Sequence, residues 1–302
     1  MTVGSRTTPI ESARLPAGPL QVAGTVLSIK RVGDYHHLTM VAPGIAERTQ
    51  PGSFVALAVG GAHSAMLLRR AFSIYRVRSS GVYGGTVEIV FATLGKGTEA
   101  LSRLRPNDPI DVLGPLGRPF ALPKQAVPCV LVGGGYGSAP LFGLAERLRD
   151  RHCQVHMVLG AATASRLFGA LEAKRAAQSV LVTTEDGSVG IRGRVTDALP
   201  ALIDRTAAQV VYSCGPMGML AAVTDVALAH GAWSQTAVEE SMACGVGVCM
   251  TCVLPVVGDD GVTRMVRSCV EGPVFRGERV RWDAVGTVPV DTLGAPRGGR
   301  HG

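Results

Sequence analysis

Residues 243–252 of the chain read ACGVGVCMTC, and one more cysteine follows at position 269. The cysteines therefore stand as C-x4-C-x2-C with a lone fourth member, which is the spacing of plant-type [2Fe–2S] proteins. Gly245 and Gly247 permit a tight backbone that can point amide N–H groups at sulfur. The predicted cluster ligands are Cys244, Cys249, Cys252 and Cys269.

A zinc site and a disulfide pair are the alternative interpretations of these cysteines. Zinc knuckles and ribbons usually repeat a C-x2-C pair, and this module has only one, so the spacing favours an iron–sulfur cluster. Such a cluster carries one electron at a time and performs no bond chemistry of its own. Its electron donor and acceptor must therefore lie elsewhere in the chain or on a partner.

Composition narrows the class of protein. The chain has 302 residues, of which 46% are hydrophobic and 18% charged, so we expect a globular protein of two or three domains. No apolar run approaches the ~18 residues of a membrane span, and the N-terminus lacks the apolar core of a signal peptide. The seven cysteines, an odd number in a metal-type arrangement, indicate a cytoplasmic location rather than a secreted disulfide framework.

The net charge of +7 does not indicate a nucleic-acid partner. The positive charge is scattered and mostly arginine, and aromatic residues make up only 5% of the chain. A nucleic-acid surface would interleave aromatic side chains with a continuous basic stripe, and no such stripe is present. We therefore expect a solvated basic surface without nucleic-acid binding.

The hydrophobic rhythm divides the chain into three blocks. Residues 19–121 contain short alternating segments between Gly and Pro, which predict an antiparallel barrel. Residues 122–232 alternate strands with helices, which predicts a doubly wound parallel sheet, and residues 233–284 form the cysteine module. Residues 1–18 and 285–302 are expected to be disordered tails. The predicted barrel strands are Gln21–Lys30, His36–Val41, Ser53–Val59, Val87–Phe91 and Asp108–Leu113.

Two glycine loops follow predicted strands of the middle block. Residues 132–140 read VGGGYGSAP between an apolar strand and a helix, where backbone amides can approach a pyrophosphate. The spacing departs from strict G-x-G-x-x-G, so a plain tight turn is the alternative. The second loop, Cys214-Gly215-Pro216, also follows a strand, although Cys214 alone could be a small buried residue. Because ligands bind outside the carboxyl ends of parallel strands, we expect both loops to converge on one edge.

The barrel block contains residue types that suit a flavin nucleotide. In Arg70-Ala71-Phe72-Ser73 a guanidinium can clamp a diphosphate, an aromatic ring can flank a flat ring, and a hydroxyl can bond a ring nitrogen. Gly97-Thr98 stands at a predicted helix start. Considered alone, Arg70 could be a surface charge and Phe72 a core residue. A dinucleotide site and a one-electron cluster need a flavin between them, however, and the barrel is the block left to hold it.

The order of barrel, nucleotide domain and cluster module resembles the ferredoxin-reductase superfamily over nearly the whole chain. More narrowly, the chain resembles the electron-transfer subunits of class 1B dihydroorotate dehydrogenase, the PyrK family. The motifs that carry the resemblance are residues 70–73, 97–98, 114–117, 133–140, 214–216, 239–245 and 269–275.

The resemblance implies a set of binding residues. FAD would be held by Arg70, Ala71, Phe72, Ser73, Val90, Phe91, Ala92, Gly97 and Thr98. NAD would be bound by Gly133, Gly134, Gly135, Gly137, Cys214, Gly215 and Pro216. The chain departs from the family at Ala71 and Phe72, where Arg-Pro-Ile-Ser is usual, and at Ala92, where an arginine is frequent.

The implied activity connects two chains. Dihydroorotate would be oxidised at FMN in a separate catalytic subunit, and its electrons would pass through the [2Fe–2S] cluster and FAD to NAD+, as a step of pyrimidine biosynthesis. Two copies of each subunit would assemble into a heterotetramer. We expect no catalytic acid or base in this chain, which has no H-E-x-x-H or G-x-S-x-G motif.

Two alternative functions share parts of this pattern. A subunit of an NADH-dependent ferredoxin:NADP oxidoreductase or of a sulfide dehydrogenase has nearly all of these motifs and differs in partner and substrate. From a different class, a non-catalytic zinc-binding regulator would use the cysteines structurally and leave the glycine loops empty.

Overall fold

The first block folds as a closed antiparallel barrel. The computed structural model describes residues 10–11, 18–60, 65–79 and 84–295. The barrel strands are β1 (Leu20–Val32), β2 (Tyr35–Val41), β3 (Phe54–Leu57), β4 (Arg70–Arg78), β5 (Thr86–Ala92) and β6 (Pro109–Leu116). They are ordered β1-β2-β5-β4-β3-β6, and β6 pairs back onto β1 to close the barrel. Alternate residues such as Ile110 and Val112 point into the core, as the period of two requires.

The sequence predicts every barrel strand except β4. The segment Arg70–Arg78 carries arginines at both ends and one at position 76, so its apolar alternation is weak. Phe72 and Ile74 nevertheless point into the barrel and are buried. Two short helices, α1 (Ile45–Arg48) and α2 (Lys96–Ser102), lie in the connections of the barrel.

The second block is the predicted doubly wound parallel sheet. Its parallel strands are β7 (Pro128–Gly134), β8 (Gln154–Ala161), β9 (Ser179–Thr184), β10 (Ile191–Arg192), β11 (Val210–Cys214) and β12 (Trp233–Ala237). Its helices are α3 (Ala139–Asp150), α4 (Ala170–Ala176), α5 (Val195–Thr206) and α6 (Met217–Ala229). Helices α3 and α4 pack in one core cluster with Leu131, while α5 and α6 pack in another with Val130. Both faces of the sheet are therefore covered, as expected for a parallel sheet.

The cysteine module is joined to this sheet. Strands β13 (Val253–Val257) and β14 (Thr263–Arg267) form an antiparallel hairpin. Strand β15 (Val274–Arg276) then pairs antiparallel with β12 and completes the sheet order β10-β9-β8-β7-β11-β12-β15. This pairing fixes the module beside the carboxyl edge of the sheet.

The predicted tails are only partly covered by the described residues. Residues 1–9, 12–17 and 296–302 lie outside them. At the C-terminal end, residues 285–295 are described, and the Leu293 amide donates to the Thr263 carbonyl at 2.9 Å. The compact part of the chain thus continues past residue 284. Within the described ranges, no helix combines the length and the apolarity needed to cross a membrane.

Aromatic contacts join the barrel to the parallel-sheet domain. The Tyr35 hydroxyl donates to the Arg166 carbonyl at 2.7 Å, and the Tyr75 ring packs edge-on against Phe142 and Phe168. Each such aromatic pair is worth about 0.5–1.5 kcal/mol beyond area burial. Tyr75 also hydrogen-bonds Glu172. These contacts hold the two blocks at a fixed distance across the cavities described next.

Candidate functional site

A cavity of about 650 Å³ lies where the barrel, the parallel sheet and the cysteine module meet. We call it the barrel cavity. Eight of the nine residues predicted to hold FAD line it: Arg70, Ala71, Phe72, Ser73, Val90, Phe91, Ala92 and Thr98. The ninth, Gly97, lies directly behind Arg70, since a Cβ atom at Gly97 would approach the Arg70 Nε atom to 2.7 Å. The fold therefore brings residues from β4, β5 and α2 together around one space.

Arg69, just before β4, and Arg70, its first residue, have different surroundings. Arg69 donates to both carboxylate oxygens of Asp111, at 3.1 and 2.9 Å, so its charge is paired. Arg70 donates to the Leu68 carbonyl at 2.7 Å and makes no ion pair with any acidic side chain that the structure describes. The Arg70 charge is therefore the one available to a phosphate in the barrel cavity.

Residues 72 and 73 show how strand alternation builds the cavity wall. Phe72 is buried and packs against Phe91 in the barrel core, with ring centroids 5.5 Å apart. Ser73 is the next residue along the strand, and its side chain is exposed to the cavity. The hydroxyl is thus presented to a ligand, while the Phe72 ring mainly stabilises the barrel.

The Thr98 side chain is occupied within its own loop. Its Oγ1 atom accepts hydrogen bonds from the amides of Leu94 and Gly95 at 2.9 and 3.2 Å. The same hydroxyl donates to the Gly95 carbonyl at 3.1 Å. Thr98 therefore shapes the turn before α2, and Gly97 leaves room for the Arg70 guanidinium.

A second cavity of about 440 Å³ opens at the carboxyl edge of the parallel sheet. We call it the sheet cavity. Gly134, Gly135 and Pro216 line it directly. The two glycine loops meet beneath it, as the sequence predicts, because Cys214 pairs in register with Gly133.

Gly137 marks the closest approach of these two loops. A Cβ atom there would lie 2.8 Å from the Gly215 Cα atom and 2.9 Å from the Cys214 carbonyl oxygen. Both partners are backbone atoms and cannot move aside easily. The Cys214 thiol itself is 2% exposed, and burial, followed by the nearby Glu239 charge, raises its pKa well above the ordinary value.

Tyr136 and Glu239 were not predicted as site residues, and both line the barrel cavity and the sheet cavity. The Tyr136 ring packs edge-on against Tyr35 with centroids 5.3 Å apart. Burial, followed by the Glu239 charge, raises the pKa of Tyr136 to about 12. The two cavities therefore share a wall made of one aromatic and one acidic side chain.

The cysteine loop, residues 244–252, forms another part of the barrel-cavity wall through Thr251. Positive φ angles of 73° at Gly245 and 82° at Gly247 turn its backbone tightly. The amides of Val246 and Val248 consequently point at the Cys244 Sγ atom, at 3.4 and 3.3 Å. Burial opposes ionisation of this thiol, but the amides of Cys249, Val246 and Val248 outweigh it and lower its pKa to about 6.

The four predicted ligands form two adjacent pairs. Cys244 contacts Cys249 near the surface, and Cys252 contacts Cys269 in the interior, where each is at most 2% exposed. Burial, followed by the contact with Cys252, raises the pKa of Cys269 to about 12. All seven cysteines are free thiols, so the structure contains no disulfide.

The paired arrangement of the four thiols fits a two-iron cluster. A [2Fe–2S] cluster has two irons and takes four thiolates, so two thiols for each iron are what it needs. The amide donors aimed at Cys244 fit the same group, because they stabilise ligated sulfur.

The cysteine module and the parallel-sheet domain each match a known sequence family. Residues 239–281 match the iron–sulfur cluster binding domain of dihydroorotate dehydrogenase B. Residues 131–225 match the oxidoreductase NAD-binding domain.

The chain is also similar to whole proteins. It is 34% identical over 249 residues to the dihydroorotate dehydrogenase B (NAD(+)) electron transfer subunit of Desulforamulus reducens, covering 82% of this chain and 93% of the relative. It is 38% identical over 262 residues to the protein of the same name from Geobacillus thermodenitrificans, covering 85% and 96%.

A solved structure extends the similarity to three dimensions. A chain of the NADH-dependent reduced ferredoxin-NADP oxidoreductase, described for flavin-based electron bifurcation, superposes with a TM-score of 0.75 at 29% identity. The alignment covers 87% of this chain and 91% of that one.

Proposed function

The chain belongs to the family of dihydroorotate dehydrogenase B (NAD(+)) electron transfer subunits, and we propose that its two cavities and cysteine loop form one electron-transfer site. It is an oxidoreductase subunit that works with FAD, a [2Fe–2S] cluster and NAD, beside a catalytic partner subunit. When bound, the cluster carries single electrons, the flavin converts between one- and two-electron transfer, and NAD+ accepts a hydride.

We propose that Cys244, Cys249, Cys252 and Cys269 hold the cluster. Their grouping as two pairs and the amide donors at Cys244 support this assignment. Arg267 steadies the loop, since its side chain donates to the Gly247 carbonyl at 3.0 Å and to Glu271 at 3.0 Å. The chain thus supplies a preformed backbone for the thiolates.

We propose that the barrel cavity holds FAD. The unpaired Arg70 guanidinium next to Gly97 would bind its phosphates, and Ser73 would hydrogen-bond the flavin ring. The remaining wall residues, Ala71, Phe72, Val90, Phe91, Ala92 and Thr98, would enclose the cofactor. Ala71 and Ala92 are small, so their departures from the family pattern leave the space open.

We propose that NAD binds in the sheet cavity. Gly134 and Gly135 line this cavity, whereas Gly133 and Gly137 allow close packing against Ser138 and against the second loop beneath it, and Gly137 lines the barrel cavity. Cys214, Gly215 and Pro216 form the opposite loop. The close approach of Gly137 to Gly215 supports a role for the glycines in holding both loops together.

The observation that carries the proposal is that neighbouring parts of the site have lining residues in common. Thr251 contacts Cys249 and also lines the barrel cavity, while Tyr136 and Glu239 line both cavities. The sites for cluster, flavin and nicotinamide nucleotide are therefore contiguous, with a single side-chain layer between neighbours. A chain that only bound zinc would gain nothing from this arrangement.

We further propose that the catalytic partner contains FMN and that two copies of each subunit assemble. The exposed Val248 and Met250 side chains of the cysteine loop support contact with a partner. We also propose a cytoplasmic location, which the seven free thiols favour.

Anaerobic purification of the chain and titration with NADH test the proposal. We expect absorbance of both a flavin and an iron–sulfur cluster, and bleaching of both by NADH. A colourless protein that contains zinc would contradict it.

A further inference from the structure

Glu239 lies at the junction of the two cavities. It follows the carboxyl end of β12, and it lines the barrel cavity and the sheet cavity at once. Its side chain keeps accessible surface because it faces both spaces, although protein surrounds it closely enough for burial to raise its pKa. The carboxyl group is thus enclosed by protein but open to a ligand.

The Glu239 carboxyl has no cationic partner within the described part of the chain. No hydrogen bond or ion pair to it is formed there, and the titratable groups that feel its charge are Tyr35, Tyr136 and Cys214. None of these three supplies a positive charge. The exposed Glu239 carboxylate faces both cavities without a counter-charge, so the site favours a ligand that brings one.

The position of Glu239 identifies the end of the dinucleotide that it meets. Hydride transfer requires the nicotinamide ring to contact the flavin, and Tyr136 and Glu239 are the described residues that line both the sheet cavity and the barrel cavity. Glu185, another carboxylate of the sheet cavity, is absent from the lining of the barrel cavity. Glu239 is therefore the acidic group at the nicotinamide end.

We propose that Glu239 is a specificity-determining residue that makes the chain bind oxidised NAD+ more tightly than the reduced nucleotide, an inference that rests on the proposed function. The nicotinamide ring of NAD+ carries a positive charge, and the ring of the reduced form is neutral. Only the oxidised ring can therefore serve as counter-ion to the carboxylate.

This preference suits the direction of the reaction. A site that favours the charged ring captures NAD+ and loses its attraction when the ring becomes neutral, so the product is released more readily. The amide of the nicotinamide is the same in both forms, and hydrogen bonds to it do not discriminate between them. The discrimination thus comes from charge.

Binding of two ligands to the oxidised holoprotein tests this proposal. The probes are NAD+ and the tetrahydro derivative of NAD, whose ring is neutral and cannot transfer hydride. Dissociation constants are measured by calorimetry for the wild type and for Glu239→Gln, which removes the charge and keeps the shape. Asp225→Asn is the matched control, because Asp225 is an exposed carboxylate of α6 that lines neither cavity.

We expect Glu239→Gln to weaken NAD+ binding about tenfold, and binding of the neutral analogue by less than about twofold. Glu239→Asp retains the charge and should retain the preference, and Asp225→Asn should change neither constant. If the glutamine variant does not load its cofactors, Glu239→Ala must show the same selective loss.

Equal weakening of both ligands, or no change for either, overturns the proposal and leaves the proposed function intact. A wild-type holoprotein that binds neither ligand contradicts the proposed function itself, and this inference falls with it.

Discussion

The Thr251 Oγ1 atom lies 3.1 Å from the Cys249 Sγ atom, and the same threonine lines the barrel cavity. Its oxygen also accepts from the Ala243 amide at 3.2 Å, and the Ser241 carbonyl oxygen, also 3.2 Å away, competes with the Cys249 sulfur for the single hydroxyl proton. One side chain therefore fixes the cysteine loop and separates a predicted cluster ligand from the predicted flavin space.

Thr251→Val should lower the reduction potential of the cluster. The substitution keeps the shape and removes the hydroxyl next to the Cys249 sulfur, and hydrogen bonds to cluster sulfurs are one determinant of the potential. The loss of the two backbone hydrogen bonds should also lower the free energy of unfolding by about 1–2 kcal/mol. Redox titration followed by electron paramagnetic resonance measures the potential. Thr251→Ser keeps the hydroxyl and should match the wild type, and equal potentials for all three proteins would refute the role.

Arg70→Gln should weaken FAD binding by about tenfold or more, because it removes the unpaired guanidinium from the barrel cavity. Arg69→Gln, at the position just before the strand, is the matched control. Its partner is Asp111, and this partly exposed pair contributes at most about 1 kcal/mol to stability, so FAD affinity should persist. Fluorescence titration of the FAD-free chain measures both constants. Similar losses of FAD affinity in the two variants would show that the Arg70 guanidinium has no specific role in FAD binding.

Gly137→Ala should weaken NAD+ binding more than tenfold. The added methyl group would meet the backbone of Gly215 and Cys214 at less than 3 Å, so the two loops must separate. Gly143→Ala is the control, since its Cβ would lie 3.9 Å from the nearest atom, the Tyr75 carbonyl oxygen. In the interior of α3 that change should stabilise the chain by about 0.5–1 kcal/mol. Calorimetric titration with NAD+ compares the variants, and unaltered affinity in Gly137→Ala would count against the site.

Glu88 should make the barrel sensitive to acid. Burial opposes ionisation of this carboxyl, but the hydrogen bond from His37 at 2.8 Å and the nearby charges of Arg76 and Arg78 outweigh burial and lower its pKa. A lowered pKa in the folded state means that the stabilisation is present above the unfolded pKa of about 4.3. It is lost as the pH falls through the folded pKa.

Glu88→Gln tests this sign directly. Above pH 5 the variant should melt roughly 2–4 °C below the wild type, which corresponds to about 1 kcal/mol in a chain of this size. The difference should shrink as the pH falls below about 4.3. Melting curves across this pH range measure the difference in melting temperature. A difference that grows on acidification would contradict a lowered pKa of Glu88 in the folded state.

The sequence predicts the parts of the site that depend on residue type and spacing. The cysteine spacing indicates the paired thiols, and the glycine loops indicate a convergence at the sheet edge that register pairing of Cys214 with Gly133 produces. Few other residue types can replace glycine and cysteine in these roles, so the positions of these residues in the sequence indicate where the loops and the thiols lie. The predicted residues 70–73 likewise line the barrel cavity, although the sequence does not predict their strand, because arginines interrupt its apolar alternation.

Tyr136 and Glu239 could not be assigned from spacing alone, because their importance arises where two cavities meet. Glu239 belongs to the resemblance motif 239–245, and its place as an acidic residue at the carboxyl end of the parallel strand β12 is a second signal that could have indicated it. Tertiary packing decides which strand lies next to β11, and the local sequence pattern does not predict that strand order.

Formation of NADH from NAD+ on addition of dihydroorotate tests the central claim most directly. The chain is co-expressed with an FMN-containing catalytic subunit, and the purified complex is compared with one that carries Cys249→Ser. We predict dihydroorotate-dependent NADH formation by the wild-type complex and its loss in the variant, with oxidation of dihydroorotate by an artificial electron acceptor retained at the FMN subunit. A complex that holds all its cofactors and yet forms no NADH from dihydroorotate would contradict the account.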